Sequence, residues 1–207
     1  KFILAFGLFA ITSAVIAQDT ALIYRKLDSI AVIDQKVMMP MRDGIRLATD
    51  IYRPKTDQPV PIIFWKTPYN FNSYVDGKLR TRTFERAYEA VSRGYAFVIQ
   101  NERGRFFSEG EWDILGTPTT DGYDAFEWMS KQPWSNGKVA TQGGSYLGHV
   151  QWAAGKLQPP NLVAMFPAVA STNIYANWIT FGGAFRLSFN YGWGVVRMPN
   201  RIMLPQY

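Results

Sequence analysis

The sequence predicts an α/β fold with a mostly parallel sheet, and two observations carry that prediction. Short apolar runs alternate with segments of helical periodicity between residues 60 and 170, which is typical of βαβ units. The composition agrees, because 47% of the 207 residues are hydrophobic and 18% are charged, as in ordinary globular domains. We therefore expect one domain, or one domain and a piece of another.

The individual elements follow from the same patterns. Residues 36–53 predict two strands joined by a tight turn at Arg42-Asp43-Gly44. Further strands are predicted at 60–65, 95–100, 138–142 and 162–169, and helices at 79–93, 121–131 and 146–156. Between them, residues 101–120 are rich in Gly, Arg and aromatic residues and predict a long loop. A loop of that length in a compact domain is usually functional.

Composition also excludes several classes of protein. The chain has no Cys, which rules out a disulfide scaffold, a thiolate metal site and a cysteine nucleophile. Its one histidine, His149, cannot make a multi-histidine metal site. The net charge is +6, but the basic residues form no cluster beyond short pairs, so we expect no nucleic-acid partner.

Residues 1–17 have the features of a secretory signal peptide. Lys1 precedes the uncharged apolar run FILAFGLFAITSAVIA, and Val15 and Ala17 suit the small positions of a cleavage site. We expect cleavage after Ala17 and a secreted or periplasmic protein. The alternative is a membrane anchor, but the run is shorter than the roughly 20 residues that span a bilayer, so no stable membrane span is expected after cleavage.

The segment GKVATQGGSYLG carries the strongest chemical signal. It places Ser145 in a strand-to-helix turn beside Gly143, Gly144 and Gly148. A nucleophile elbow needs such small residues, and the helix that follows directs N–H groups at a developing oxyanion. The usual second glycine is displaced, because Leu147 occupies its place. The alternative is a glycine-rich turn without a catalytic serine; phosphate-loop and dinucleotide patterns do not match.

Four ordered segments together resemble one α/β-hydrolase group, that of cocaine esterases, α-amino acid ester hydrolases, glutaryl acylases and Xaa-Pro dipeptidyl peptidases. PMRDGIRLATDIYRP (40–54) resembles its opening hairpin, KTPYN (66–70) its oxyanion-tyrosine segment, and NERGRFFSEGEW (101–112) its Arg-Gly loop. TDGYDAFEWMSKQPWSNGKV then leads into an elbow that is similar to Gly-x-Ser-Tyr-x-Gly. The resemblance covers about residues 36–170 and implies an α/β-hydrolase core.

The resemblance also implies the roles of individual residues. Ser145 would be the nucleophile, and the backbone N–H of Tyr146 and the phenol of Tyr69 would form the oxyanion hole. The alternative for Tyr69 is an ordinary half-buried tyrosine at a strand end. The substrate would be a small-molecule ester or amide, or a peptide, and no metal or organic cofactor is implied. We expect three loop residues to order the loop rather than to act in catalysis: Arg103, Arg105 and Glu109.

The chain lacks the rest of a catalytic triad. All 16 carboxylates lie at or before Glu127, whereas α/β-hydrolases place their Asp or Glu, and then their His, after the serine. His149 lies one helical turn beyond Ser145, and we expect it to be a packed helix residue rather than the base. Either the chain is part of a longer hydrolase or it is a short inactive relative. We expect the first, with residues 18–170 as a truncated core and 171–207 as the start of a helical cap.

A function of another class is a non-catalytic binding protein with an aromatic pocket. Its lining would come from the Gly-rich segment that follows Ser171, namely Trp178, Phe181, Phe185, Phe189, Tyr191 and Trp193. The first four of these are also spaced as on one face of a helix, for which core packing is the commoner cause. The sequence predicts no oligomeric state.

Overall fold

The computed structural model describes residues 22–71, 74–75, 78–79, 82–116 and 119–197. The signal peptide predicted at residues 1–17 and the last part of the predicted cap therefore lie outside the described residues. Within the described part of the chain, none of the helices combines the length and the apolar character that crossing a bilayer requires.

The elements alternate between strands and helices along most of the chain. Residues 22–30 are helical (α1). They are followed by β1 (Ala31–Pro40), β2 (Arg46–Pro54), β3 (Val60–Thr67), β4 (Tyr74–Val75), β5 (Lys78–Leu79), α2 (Arg82–Ser92), β6 (Ala96–Asn101), α3 (Thr119–Ser130), β7 (Ser135–Gly144), α4 (Tyr146–Gly155) and β8 (Leu162–Ala168). The segment beyond contains β9 (Thr180–Phe181), β10 (Ala184–Phe185), α5 (Leu187–Asn190) and π-helical turns at Tyr175–Ile179 and Tyr191–Arg197.

The main sheet has six strands in the order β1-β2-β6-β3-β7-β8. β1 pairs antiparallel with β2, and β2 pairs antiparallel with β6. The pairs β6–β3, β3–β7 and β7–β8 are parallel. The α/β fold with a mostly parallel sheet is therefore confirmed, and the carboxyl ends of the parallel strands meet at one edge, where open α/β sheets place their ligands.

Helices cover the sheet on both faces. On one face, Phe64 of β3 packs edge-on against Phe126 of α3 at 5.7 Å between ring centroids, within an apolar cluster that includes Ala154 of α4. On the other face, Phe97 of β6 lies in a second cluster with Phe84 of α2. Side chains alternate along a strand, so a single apolar run can supply both cores.

The predicted strands and helices of residues 36–170 are all present, with shifted ends. The largest difference is at β1, which begins at Ala31 instead of residue 36. Its pairing with β2 continues across an irregularity between Asp34 and Val37, where Lys36 has a φ of 57°. Such a bulge interrupts the alternation of apolar and polar residues, so the first half of the strand gives no clear pattern. Helix α1 was not predicted.

The helical spacing after Ser171 is misleading. Phe181 lies in β9 and Phe185 in β10, and the two strands form a short antiparallel hairpin. Gly182 and Gly183 join them with φ values of 56° and 84°, the pair of positive φ values that a tight hairpin turn requires. The alternative interpretation, that Phe181 and Phe185 lie on one face of a helix, is therefore wrong, because the glycine pair between them forms a hairpin turn.

Strand β8 lies at the edge of the described sheet and exposes large apolar side chains. Val163 is 58% exposed and Phe166 is 66% exposed, and Val169 just beyond the strand is 89% exposed. An edge strand with exposed apolar residues is a template for association with another chain.

We predict that the 207-residue chain, produced by itself, self-associates through β8. Replacing Val163 and Phe166 with lysine should shift the population toward monomer, because charge on an edge strand opposes pairing. Light scattering coupled to size-exclusion chromatography measures the shift, and Gln58→Lys, which adds charge in an exposed loop, is the control. A monomeric parent chain with a sharp thermal transition would contradict the prediction.

Candidate active site

Ser145 stands in a strained turn between β7 and α4. Its backbone has a φ of 58° and a ψ of −122°, a conformation that non-glycine residues rarely adopt and that carries a cost of about 1–3 kcal/mol. The serine is solvent-exposed, whereas the next residue, Tyr146, is fully buried. The structure therefore has the strand–turn–helix geometry of a nucleophile elbow at the carboxyl end of a parallel strand.

Two glycines make room for this turn. A Cβ on Gly148 would lie 2.5 Å from the Cβ of Ala170 and 3.1 Å from the carbonyl oxygen of Ala168. A Cβ on Gly143 would lie 2.5 Å from the Cβ of Leu147. The displaced glycine of the sequence motif is thus explained: Gly148 is where α4 meets the end of β8, and Leu147 fits because Gly143 has no side chain.

Gln151 is an important residue of the elbow that the sequence did not single out. Its side chain is 4% exposed and donates from Nε2 to the carbonyl oxygens of Gly143 (3.1 Å) and Leu147 (2.9 Å). Its Oε1 accepts from the Thr141 hydroxyl (2.9 Å) and from the backbone N–H of Phe166 (3.1 Å). One amide therefore joins β7, α4 and β8 beneath Ser145. The signal available in the sequence was a single amide side chain in a mostly apolar helix.

Tyr69 lies just beyond β3, and its backbone is held at both ends. Its N–H donates to the hydroxyl of Thr67 at 3.1 Å, and its carbonyl oxygen accepts from Nδ2 of Asn101 at 2.9 Å. The Tyr69 ring meets the Tyr146 ring edge-on, with 6.3 Å between centroids. The rings of Tyr69 and Tyr146 are therefore in contact, and Tyr146 directly follows Ser145 in the chain.

Ion pairs fix the loop of residues 102–116 to its surroundings, as predicted for Arg103 and Glu109. The Arg103 guanidinium bonds both carboxylate oxygens of buried Asp121, at 3.0 and 2.6 Å, and also reaches Asp43 at 2.7 Å. These carboxylates raise the pKa of Arg103. Arg46 donates from Nε to Glu109 at 3.0 Å and thereby lowers the pKa of that carboxyl group.

Arg105 has a different set of contacts. Its Nε donates to the carbonyl oxygen of Pro68 at 2.9 Å, directly before Tyr69. The guanidinium lies 4.5 Å from the centroid of Trp112 and 5.1 Å from that of Phe106, a cation–π arrangement. Burial lowers the pKa of Arg105. Its role in this structure is to hold the Tyr69 segment against the loop.

His149 is packed between aromatic rings. Its backbone N–H donates to the carbonyl oxygen of Ser145 at 3.0 Å. The half-buried side chain contacts the rings of Tyr146 and Trp178, at centroid distances of 6.3 and 6.5 Å. Burial lowers the pKa of His149, and a hydrogen bond with the backbone of Leu115 opposes that shift only in part.

Aromatic residues beyond Ser171 pack against the same helix. Trp193 lies 5.9 Å from the ring of Tyr146 and 6.1 Å from that of Trp178, and Phe189 stacks on Trp193 at 6.4 Å. Three of the six residues proposed for an aromatic pocket are therefore together beside the elbow. The other three, Phe181, Phe185 and Tyr191, are more than half exposed.

We predict that Gly148→Ala destabilises the fold although Gly148 lies in a helix. Overpacking against β8 should cost about 1–3 kcal/mol, more than the up to about 1 kcal/mol of helix propensity that alanine gains over glycine. Urea denaturation of the complete gene product measures the difference. Gly144→Ala is the matched control, because its Cβ would make an ordinary contact, 3.4 Å from the Ala168 oxygen. Equal stability of the two variants would contradict the prediction.

We predict that His149 titrates below its ordinary pKa of 6.5 in the folded protein. Because the unfolded chain then binds a proton more readily, the free energy of unfolding should fall as the pH drops below 6.5 and recover as it rises. The measurement is an NMR titration that follows the imidazole resonance lost in His149→Gln. A pKa at or above 6.5 would show that burial does not dominate the environment of this ring.

Comparison with known proteins identifies the family. The family model of the X-Pro dipeptidyl-peptidase (S15 family) matches residues 43–202. A cocaine esterase from Rhodococcus sp. is 39% identical over 166 residues, which are 79% of this chain and 28% of that protein.

Solved structures give the same answer. A CocE/NonD family hydrolase from Staphylococcus aureus superposes with a TM-score of 0.64 at 26% identity, over 74% of this chain and 30% of that one. An α-amino acid ester hydrolase superposes with a TM-score of 0.63 at 28% identity, over 81% and 30%. The chain spans less than a third of the length of each of these three relatives. The resemblance found in the motifs is confirmed: this chain belongs to the X-Pro dipeptidyl-peptidase (S15) family and has an α/β-hydrolase fold.

Proposed function

We propose that Ser145 is the nucleophile of a serine hydrolase that cleaves ester or amide bonds by acyl transfer. The observation that carries the proposal is the backbone of Ser145, an exposed serine with a strained, positive φ between a parallel strand and a helix. Strain of this kind persists only where the surroundings impose it, and it concentrates at functional sites. The cocaine esterase and the α-amino acid ester hydrolase among the relatives support a hydrolase.

The proposed chemistry needs an oxyanion hole beside the serine. The Ser145 hydroxyl oxygen attacks the carbonyl carbon, its proton passes to a base, and the carbonyl oxygen becomes an oxyanion. The first N–H groups of a helix have no acceptor within that helix, so the N–H of Tyr146 can donate to this oxygen, together with the phenol of Tyr69. The tetrahedral intermediate then collapses as the base gives its proton to the departing alcohol or amine. Water, deprotonated by the same base, attacks the acyl-enzyme and releases the acid, and the Ser145 oxygen takes the proton back.

We further propose that the base and its carboxylate partner come from sequence outside these 207 residues. No Asp or Glu follows Ser145, and the chain covers only 28% of the cocaine esterase. The half-buried His149 packs against the rings of Tyr146 and Trp178, which supports a packing role. On this proposal the 207-residue chain alone is inactive.

The proposed substrate is a small-molecule ester or amide, or a peptide. The relatives' names span these classes, and the choice among them depends on the cap. Because the rings of Trp178, Phe189 and Trp193 lie together beside α4, a second candidate function is non-catalytic binding of an acyl or peptide group. We also propose export, which rests on the sequence of residues 1–17.

Labelling with a fluorophosphonate separates hydrolysis from binding. We predict that the complete gene product is labelled at Ser145, because a serine activated by a base attacks the phosphorus, and that Ser145→Ala is not labelled. Mass spectrometry of the labelled peptide locates the adduct, and Ser171→Ala is the control for an exchange at another serine. Failure of the folded complete protein to react would overturn the hydrolase proposal and favour the binding protein.

A further inference from the structure

Glu102 is a fully buried carboxylate beneath the elbow. It follows β6 directly and is 0% exposed. Its Oε2 accepts a hydrogen bond from the phenol of Tyr146 at 2.7 Å and one from Nε1 of Trp112 at 3.0 Å. Burial of a carboxylate is costly unless donors and positive charges compensate for lost hydration. The hydrogen bonds from Tyr146 and Trp112 therefore compensate for part of the cost of burying the Glu102 carboxylate.

Two basic side chains, those of Lys66 and Arg105, interact electrostatically with Glu102. Lys66 is buried and donates to the side-chain oxygen of Gln100 at 2.8 Å, and it lines a small cavity together with Glu102. Burial lowers the pKa of Lys66, while the carboxylates of Asp121 and Glu102 act in the opposite direction. The carboxylate of Glu102 likewise favours the charged form of Arg105. The surroundings of Glu102 therefore supply positive charge in addition to the two hydrogen-bond donors.

The Tyr146 ring connects this carboxylate to both proposed oxyanion donors. The backbone N–H of Tyr146 is one donor, and its ring touches the ring of Tyr69, the other donor, edge-on. The phenol oxygen also accepts from the backbone N–H of Leu115 at 3.1 Å. A displacement of the Tyr146 phenol would therefore shift two parts of the same residue: the ring against which Tyr69 packs, and the backbone at the start of α4.

We infer that Glu102 is a positioning residue for the oxyanion hole, acting through its hydrogen bond to the Tyr146 phenol. It touches no substrate: it fixes the ring, and the ring fixes the Tyr69 phenol and the Tyr146 N–H relative to Ser145. The inference rests on the proposed function. A hole of this kind acts on the transition state more than on the bound substrate, so its loss should appear in kcat rather than in KM.

The test is steady-state hydrolysis of a 4-nitrophenyl ester by the complete gene product. Tyr146→Phe, which deletes one hydroxyl, and Glu102→Leu should each lower kcat about 10-fold to 100-fold, the scale expected for a misplaced catalytic group, and should leave KM within about twofold. Glu102→Gln should stay within about threefold of the parent, because the amide oxygen still accepts from both donors. Glu111→Gln, which changes an exposed carboxylate of the same loop, should match the parent.

The double variant Glu102→Leu/Tyr146→Phe separates a shared role from two independent ones. If the two residues act through one hydrogen bond, its kcat should equal that of Tyr146→Phe, since coupled residues are non-additive. Thermal unfolding supplies the structural readout. If Glu102→Leu does not fold, the comparison of Tyr146→Phe with the parent decides the matter, because the ring itself is retained.

Three results would overturn the inference. A parent-like kcat in Tyr146→Phe, with or without a lower melting temperature, would show that the network is structural only. A Glu102→Gln variant as impaired as Glu102→Leu would show that charge, rather than placement of the ring, is what matters. Full turnover by Ser145→Ala would overturn the proposed function and this inference with it, whereas an inactive Ser145→Ala beside a parent-like Tyr146→Phe overturns the inference alone.

Discussion

The close approach of α4 to the ends of β7 and β8 is the constraint on which the proposed site depends. Ala170 lies so close to Gly148 that no side chain fits at position 148. The N–H of Ser145 donates to the carbonyl oxygen of Ala168 at 2.9 Å. Gln151 then ties both strands to the helix from below. Because these contacts restrict the backbone at the turn, Ser145 adopts a φ of 58°, a value that a residue with a side chain rarely adopts. The strained backbone of Ser145 and its exposure to solvent therefore both result from the close approach of α4 to the ends of β7 and β8.

The loop of residues 102–116 supplies the second half of the arrangement. Its position is set by ion pairs at Arg103 and Glu109 and by the fully buried Ser108, whose hydroxyl accepts from the N–H of Ala48 and donates to the carbonyl oxygen of Asn101. The same loop holds the Tyr69 segment through Arg105. Two parts of the fold thus hold the groups of the proposed site in place. The sheet supports Ser145, and the loop packs beside Tyr69 and Tyr146.

Sequence patterns predicted the parts of this fold that local rules determine. Apolar runs gave the strands, helical periodicity gave α2 to α4, and the glycines around Ser145 gave the elbow. What the patterns missed are polar contacts between segments far apart in the chain. The Tyr146 phenol donates to Glu102, which is 44 residues away in the chain, and nothing in a linear pattern shows which carboxylate will find such a partner. The helical spacing after Ser171 was misleading for another reason. Gly182 and Gly183 form a hairpin turn there, and this turn places Phe181 and Phe185 on two paired strands.

In the proposed site, Ser145 is the nucleophile, and the Tyr146 N–H and the Tyr69 phenol form its oxyanion hole. The most direct measurement is a crystal structure of the complete gene product after reaction with a phosphonate ester. We expect phosphorus bonded to the Ser145 hydroxyl oxygen, with the phosphonyl oxygen about 2.7–3.1 Å from both the Tyr146 nitrogen and the Tyr69 phenol oxygen. An adduct on another residue, or a phosphonyl oxygen that contacts neither donor, would contradict it.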